Sequence, residues 1–161
     1  PGISGLMTAA AGPGPEAVGN DSSLVIKIAL GRTAFLLTGD VGAATERELL
    51  EAGLDLGSAV LKAGHHGSAS STSTAFLAAV QPKAVLVSVG EGNTYGFPSP
   101  EVLERCRGAG AEVFRTDIDG AVEISADGRR LLIRKAAGFA AKRDADFRLT
   151  RTTKSMIIVV D

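Results

Sequence analysis

Short apolar segments that alternate with helical segments limit the possible folds of this chain most. The runs 33–38, 58–63 and 84–89 have the length and the Val, Leu and Ile content of buried strands. Between them lie two segments with helical spacing, 43–52 and 74–80. Buried strands that alternate with helices predict a sheet covered by helices. The predicted fold class is therefore mixed α/β (α+β).

The whole pattern predicts the element order ββαβαβαβββ. Two-residue turns at Gly31-Arg32 and Asp127-Gly128 predict antiparallel hairpins at the two ends of this pattern. A third helix is predicted to begin after Ser99, which suits an N-cap, with Pro100 in its first turn. The remaining predicted strands are 23–30, 112–115, 120–125 and 130–134.

Three parts are predicted along the chain. Its 161 residues suit one domain, since domains usually have about 100 to 200 residues. Residues 1–19 are rich in Gly, Ala and Pro and are predicted to be irregular. Residues 20–135 carry the strand and helix pattern. Residues 136–161 form a basic tail, in which Met156 to Val160 has strand character without an identifiable partner.

Composition excludes several classes of protein. The net charge is −1, so the whole chain lacks the strong positive charge of many nucleic-acid-binding domains. Cys106 is the only cysteine, which excludes an internal disulfide, and its place on a helix face predicts a buried thiol. Apolar runs fall short of the roughly 18 to 20 residues that span a bilayer, so we expect the chain itself to be soluble. It begins with Pro1, which suggests an excised fragment.

Polar side chains with metal-binding chemistry follow two of the predicted strands. Asp40 follows strand 33–38, and the only two histidines, His65 and His66, follow strand 58–63. Carboxylate and imidazole groups are the ligands of Zn²⁺ or Mn²⁺ hydrolytic sites. The residues alone leave a second interpretation for Asp40, in which it or a neighbour caps the helix that begins near Ala43.

Further candidate residues lie in nearby loops. Asn93 and Tyr95, in the loop after strand 84–89, are candidates to hold a substrate phosphate or sugar. Ser68 is a candidate substrate contact, although a structural role is the alternative. Arg115 and Asp117 follow a strand and form either an inward-pointing ion pair or a surface turn, and the pattern slightly favours the turn.

These motifs together carry a resemblance to a known family. They are Asn-Asp-Ser-Ser-Leu-Val at 20–25, Leu-Leu-Thr-Gly-Asp at 36–40, Leu-Lys-Ala-Gly-His-His-Gly-Ser at 61–68, and the loop motifs at 93–96 and 98–103. Over about residues 20–134 the chain resembles the metallo-β-lactamase fold superfamily. Within it, the chain is most similar to the C-terminal domain of the ComEC family of DNA internalisation competence proteins.

The resemblance implies an αββα sandwich with a metal site at one edge of its sheets. It implies hydrolysis of phosphodiesters with Zn²⁺ or Mn²⁺, dinuclear in the complete domain. Asp40 would bridge two metals, one of His65 and His66 would be the late histidine ligand, and the other would contact substrate or transfer a proton. DNA, single-stranded or duplex, would be the partner. The parent would be a cytoplasmic-membrane protein with this domain on the extracytoplasmic side.

Two departures from the family pattern indicate an incomplete domain. The first metal motif, His-X-His-X-Asp-His, is absent, and Asn20 and Asp21 stand where many members carry another histidine ligand. Phe97 stands where the branch has histidine in a Tyr-Gly-His-Pro pattern. The chain thus resembles the C-terminal half of such a domain, and we expect weak metal binding and little activity without the N-terminal half. We also expect an exposed apolar sheet face that favours a homodimer, unless the basic tail covers part of it.

The function predicted from sequence is that of a metal-dependent hydrolase fragment, a phosphodiesterase or nuclease linked to DNA uptake. One alternative is a secreted metallo-hydrolase of small phosphoesters such as phosphorylcholine esters. Another is a degenerate, non-catalytic module that binds DNA or a protein partner.

Overall fold

The structure, a computed structural model, describes residues 23–135 and the backbone of one further strand at Met156–Val160. Asn20, Asp21, the segment 1–19 that was predicted to be irregular, and the rest of the basic tail lie outside the described residues. The strands are β1 Ile26–Leu30, β2 Thr33–Leu37, β3 Val60–Lys62, β4 Ala84–Val87, β5 Glu112–Arg115, β6 Val122–Ala126, β7 Leu131–Lys135 and β8 Met156–Val160, and the helices are α1 Ala43–Glu51, α2 Thr74–Val80, α3 Pro100–Gly108 and α4 Thr116–Asp119.

A five-stranded sheet in the order β1-β2-β3-β4-β5 forms the centre of the fold. β1 and β2 are antiparallel, as the Gly31-Arg32 turn predicts, and β2 to β5 are parallel. The carboxyl ends of parallel strands meet at one edge of a sheet, where α/β proteins bind ligands. The segments after β2, β3, β4 and β5 are therefore neighbours, although they are far apart in sequence.

Helices α1, α2 and α3 cover one face of this sheet. Alternate residues of the strands point to this face, because side chains of a strand alternate between its two sides. The core on this side includes Leu36 of β2, Leu61 of β3, Val85 of β4, Leu49 of α1, Phe76 and Leu77 of α2, and Val102 and Cys106 of α3. The mixed α/β class predicted from the alternation is confirmed.

A second, three-stranded sheet in the order β7-β6-β8 covers the other face. Its Val122, Ile124 and Ala126 pack on the opposite residues of the first sheet, which are Phe35, Val60, Ala84, Leu86 and Phe114. These five side chains are at most 3% exposed. The expectation of an uncovered apolar face is therefore wrong over β2 to β5. The basis for a homodimer through that face is correspondingly smaller, and the homodimer stays a prediction.

Two features of the second sheet were not predicted. β8 pairs antiparallel with β6. β6 is therefore the partner of β8 that the sequence alone did not identify. The two hairpin turns also meet, because the backbone N–H of Arg32 donates a 2.7 Å hydrogen bond to the carbonyl of Gly128. A Cβ on Gly31 would lie 2.6 Å from that carbonyl oxygen, so this contact requires glycine. It joins the two sheets at the end opposite the carboxyl edge of β2.

The helices begin and end close to where the sequence predicts. Ser99 caps α3 by accepting from the Val102 N–H, with Pro100 in the first turn, and Ser73 caps α2 in the same way. Cys106 is fully buried, and its desolvation raises the pKa of the thiol to about 11. Within residues 23–135, no helix is both long enough and apolar enough to cross a bilayer. The four-residue helix α4 lies in the segment for which the sequence left an ion pair and a surface turn as alternatives.

Candidate functional site

Asp40 follows β2 at the carboxyl edge of the sheet. Its backbone N–H donates to the hydroxyl of Ser23 at 3.1 Å, and its side chain is 40% exposed. The N-cap of α1 is Gly42, which makes no side-chain hydrogen bond to the helix. The N-cap position thus falls on a neighbour of Asp40 and not on Asp40 itself, and the carboxylate of Asp40 is available to a ligand.

His66 faces Asp40 from the end of β3. Its Nδ1 lies 2.8 Å from the carbonyl oxygen of Ser88, just after β4, and its Nε2 lies 3.6 Å from the Oδ1 of Asp40. A ring nitrogen that faces a carbonyl must donate, so the proton of a neutral imidazole sits on Nδ1. Nε2 then presents a lone pair to the carboxylate. A metal-binding histidine is commonly oriented by this kind of hydrogen bond to its other nitrogen.

His65 meets its neighbour edge-to-face. Both residues have left-handed backbone, with φ of 46° at His65 and 53° at His66, and the centroids of their rings lie 6.5 Å apart. The ring of His65 packs edge-to-face on Phe97, with the centroids 5.5 Å apart. Its backbone N–H donates to the carbonyl of Gly39 at 3.2 Å, which ties the histidines to the segment that carries Asp40.

The glycines that flank the histidines allow other segments of the same protein, and not only a ligand, to approach the backbone closely. A Cβ on Gly64 would lie 2.7 Å from the carbonyl oxygen of Val41. A Cβ on Gly67 would lie 2.6 Å from Pro98, and its φ of 79° further favours glycine. The two glycines therefore pack the histidine segment against the segments after β2 and β4.

The histidine loop, which we define as Gly64 to Ser73, is fastened from two helices. Glu46 of α1 is 1% exposed, and its carboxylate accepts hydrogen bonds from the backbone N–H groups of Thr72 and Ser73. Arg105 of α3 donates to the carbonyls of Ala69 and Ser71, at 3.1 and 2.8 Å. Charged groups that bond buried backbone in this way hold a loop firmly.

Within the histidine loop, the hydroxyl of Ser71 closes the turn. It bonds to the carbonyl of Gly64 at 2.7 Å and lies 2.9 Å from that of Ser68. Ser68 itself is buried, and its hydroxyl pairs with that of Ser70 at 3.1 Å. It is not among the residues that line the cavity next to the histidines. Its role as a substrate contact stays a prediction.

The aromatic loop, which we define as Gly90 to Pro98, is braced by its own Asn93. The amide of Asn93 donates to the carbonyl of Phe97 at 2.8 Å and accepts from its N–H at 3.1 Å. The ring of Tyr95 stacks on Phe97, with the centroids 5.9 Å apart and an angle of 18° between the planes, and Tyr95 is 80% exposed. Asn93 thus shapes the loop, whereas Tyr95 stands free at its rim.

A cavity of about 500 Å³ lies between the two loops. It is lined by Asp40, His65, His66, Val89, Gly90, Asn93, Tyr95 and Phe97. A second cavity of about 330 Å³ lies on the other side of His66, next to Thr116 and Gly120. The predicted site residues Asp40, His65, His66, Asn93 and Tyr95 therefore come together, and Ser68 stays apart.

The segment after β5 lies next to Val89 and holds this part of the site in place. Arg115 and Asp117 form a two-pronged ion pair, with Nη2–Oδ2 at 2.5 Å and Nε–Oδ1 at 3.0 Å. The slight preference for a simple surface turn is therefore wrong. Thr116 accepts from the N–H of Val89 at 2.8 Å and donates to its carbonyl at 2.7 Å. This clamp fixes the chain next to Ser88, which in turn orients His66.

Lys62 is a neighbour of the site that the sequence analysis did not single out. It ends β3 between Leu37 and Leu86, on the face that looks toward the second sheet. Desolvation lowers the pKa of its ammonium group, and the negative charge of Asp40 opposes that shift. The only feature of the sequence that could have indicated Lys62 is the presence of a lysine in an otherwise apolar strand.

The residues fit a divalent metal only in part. Two ligands of one tetrahedral zinc, with bonds of about 2.0–2.2 Å, lie roughly 3.4 Å apart. The 3.6 Å between Asp40 Oδ1 and His66 Nε2 is close to that distance. However, residues 23–135 contain no group of three or more His, Cys, Asp or Glu side chains placed to hold a metal. Further ligands would have to come from outside this range.

Comparison with known proteins finds relatives among competence proteins. ComE operon protein 3 of Bacillus subtilis is 37% identical over 104 residues, which are 65% of this chain and 13% of the relative. Competence protein ComA of Neisseria gonorrhoeae is 40% identical over 106 residues, 65% of this chain and 15% of the relative. Recombination protein 2 of Haemophilus influenzae is 36% identical over 118 residues, 73% of this chain and 15% of the relative.

The chain thus spans about a seventh of the length of these curated relatives. No protein-family model and no solved structure matches it significantly. The similarity to competence proteins agrees with the resemblance drawn from the motifs. The metallo-β-lactamase fold, hydrolytic activity and a metal stay predictions.

Proposed function

We propose that this chain is part of a competence protein and contributes half of a metal-dependent phosphodiesterase site that cleaves DNA during uptake. The observation that carries this proposal is the geometry of His66, whose Nδ1 is held by Ser88 while its Nε2 faces the carboxylate of Asp40. A carboxylate and an imidazole nitrogen that face each other at a sheet edge are suited to hold a metal cation between them.

Asp40 and His66 would hold the metal, which lowers the pKa of bound water and makes hydroxide available near neutral pH. His65, on the cavity side and packed on Phe97, would donate a proton to the leaving oxygen or contact the phosphate. The ligands that the described residues lack would come from the rest of the protein. We further propose that the parent lies in the cytoplasmic membrane with this part on the extracytoplasmic side, which protease digestion of intact cells would test.

The direct test combines metal binding with DNA cleavage. Calorimetry with Mn²⁺ and Zn²⁺ on the 161-residue chain should give weak binding that Asp40→Asn and His66→Asn abolish. Asparagine suits position 66 because it tolerates the left-handed backbone there. Glu104→Gln, on the exposed side of α3, is the matched control and should bind as the wild type does.

Cleavage should be measured in the longest natural protein that carries this sequence. End-labelled single-stranded and duplex DNA should be cut only with Mn²⁺ or Zn²⁺, and both substitutions should lower the rate by at least about a hundredfold, as loss of a catalytic group does. Cleavage that survives both substitutions, or that proceeds in chelator, would contradict the proposal.

A non-catalytic DNA-binding module is the second candidate. It is favoured by the absence of a three-ligand group within residues 23–135 and by Phe97 in place of the expected histidine. DNA binding by the long protein without any metal-dependent cleavage would support this candidate over the first.

A further inference from the structure

We propose that the ring pair of Tyr95 and Phe97 is a stacking platform for one unpaired nucleobase, so that the site takes single-stranded DNA. This inference rests on the proposed function only in taking DNA as the substrate. It is carried by the aromatic loop, whose exposed ring stands at the rim of the cavity that holds Asp40 and His66.

Tyr95 is an exposed aromatic side chain beside a cavity that also contains polar candidate site residues. The chain has one tyrosine and no tryptophan, and this tyrosine is 80% exposed at the rim of the cavity that holds Asp40 and His66. Its ring lies nearly parallel to that of Phe97, with the centroids 5.9 Å apart, and Phe97 packs in turn on His65. A row of three rings therefore leads from the histidines to the rim, and one face of Tyr95 is open to a ligand.

The platform is formed before any ligand arrives. The paired hydrogen bonds between Asn93 and Phe97 close the loop on itself, and the carbonyl of Gly90 accepts further bonds from Asn93. An aromatic surface that is already ordered binds at a smaller cost in conformational entropy. This favours a role in recognition over one in packing.

The charged residues that line the cavity favour the nucleobase, and not the phosphate, as the part of DNA that contacts it. Its lining includes the carboxylate of Asp40 but neither lysine nor arginine. Among the lining residues a phosphate would therefore meet the negative charge of Asp40 and no lysine or arginine, since Lys62 lies near Asp40 but is not part of the lining. Stacking of a base on an aromatic ring needs no positive charge and is tolerant of sequence.

The geometry also favours a planar base over a choline-type cation. Cages for quaternary ammonium groups surround the cation with several ring faces. Here Tyr95 and Phe97 lie nearly parallel, at 18°, so they offer one flat surface. The bases of a duplex are already stacked on each other, which leaves the unpaired bases of a single strand as the occupant.

The test uses the 161-residue chain in the presence of chelator, so that it does not depend on catalysis. Tyr95 is the only tyrosine and there is no tryptophan, so the intrinsic fluorescence reports on this ring alone. A thymidine oligonucleotide of about eight residues, within the site size of single-strand-binding grooves, should quench this fluorescence after correction for absorbance. An abasic oligonucleotide of the same length should not.

Affinity is then compared among variants by the anisotropy of a labelled oligonucleotide. Tyr95→Ala should bind roughly tenfold more weakly, as loss of one stacked base predicts, and Tyr95→Phe should retain most of the affinity. Leu132→Ala, at an exposed apolar residue on β7, is the control and should bind as the wild type does. Binding should depend weakly on salt, because few phosphates are neutralised.

Three results would overturn the proposal: equal binding of the thymidine and abasic oligonucleotides, unchanged affinity in Tyr95→Ala, or quenching by phosphorylcholine but not by DNA. Failure of the metal-dependent cleavage assay would leave these binding results unaffected. Base-dependent binding without cleavage would therefore reject the nuclease while supporting the platform.

Discussion

The two loops that form the walls of the cavity are held in different ways. The histidine loop is fastened from outside, by the buried carboxylate of Glu46 on α1 and the guanidinium of Arg105 on α3. The aromatic loop is braced mainly from within, by the amide of Asn93, and it presents the exposed ring of Tyr95. One wall is thus tied to two helices that cover the sheet, and the other is a surface feature with its own internal support.

This difference matches the tasks that we propose for the two walls. Metal ligands and proton donors act only when their positions are fixed to a fraction of an ångström, which requires support from rigid elements. A surface that stacks on the bases of flexible single-stranded DNA needs its own rings to be ordered relative to each other, but the whole loop can move as a unit. Substitutions in the two loops should therefore differ in their effect on stability.

The largest effect is expected from Glu46→Gln. The amide keeps one acceptor, but its NH₂ group would face a backbone N–H of the histidine loop, which leaves a buried donor without a partner. The free energy of unfolding should fall by about 2–3 kcal/mol, measured by urea denaturation. Glu48→Gln, exposed on the same helix, is the control, and an equal loss in both variants would contradict the external fastening.

A pair of glycine substitutions compares the two loops directly. In Gly64→Ala the new methyl group would meet the carbonyl of Val41 at 2.7 Å, which should cost about 1–3 kcal/mol of stability. In Gly90→Ala it would meet no atom within 4 Å, so the melting temperature should change little. Thermal unfolding of both variants checks this, and a similar loss in Gly90→Ala would mean that the aromatic loop is packed as tightly as the other.

The clamp at Thr116 holds Val89, which lies between Ser88 and the start of the aromatic loop, and its removal should have an intermediate effect. Thr116→Val keeps the shape but loses both hydrogen bonds to Val89, which should reduce stability by about 1–2 kcal/mol. It should also loosen Ser88, so that nitrogen-15 NMR detects a larger share of the Nε2–H tautomer of His66. Thr116→Ser should restore both properties, whereas an unchanged tautomer in Thr116→Val would separate the clamp from the histidine.

The smallest loss of stability is expected from Asn93→Ala. Its bonds lie near the surface, so we expect a cost of about 1 kcal/mol or less. The fluorescence anisotropy of Tyr95 should nevertheless fall, because the ring pair loses its brace. Thr94→Ala in the same loop is the control, and an unchanged anisotropy in Asn93→Ala would mean that ring stacking alone orders the loop.

Sequence patterns predicted the sheet and helices because those patterns come from burial. Alternation of short apolar runs with helical spacing located β2 to β5 and α1 to α3, and glycine turns located both hairpins. Pairing between distant strands leaves a weaker trace. β8 carried strand character, but its partner β6 follows from tertiary packing that no local pattern encodes.

The candidate site likewise combines residues that local sequence patterns reveal with residues whose roles depend on tertiary packing. Asp40, His65 and His66 could be found because reactive side chains at strand ends are unusual in themselves. A glutamate within the helical segment 43–52 is typical of a solvent-exposed polar face, yet Glu46 is buried one turn from Leu49, where a loop distant in sequence supplies its hydrogen-bond partners. The role of Asn93 was likewise hidden, because a polar loop residue looks the same whether it holds a ligand or its own loop.

The burial of Cys106 gives this chain a practical property. Its thiol is fully enclosed on α3 and titrates only near pH 11, so it stays protonated and shielded at neutral pH. A cysteine introduced at exposed Thr94 would be the single accessible thiol in the native chain. A dye or spin label attached there would report movement of the aromatic loop without any change to the native cysteine.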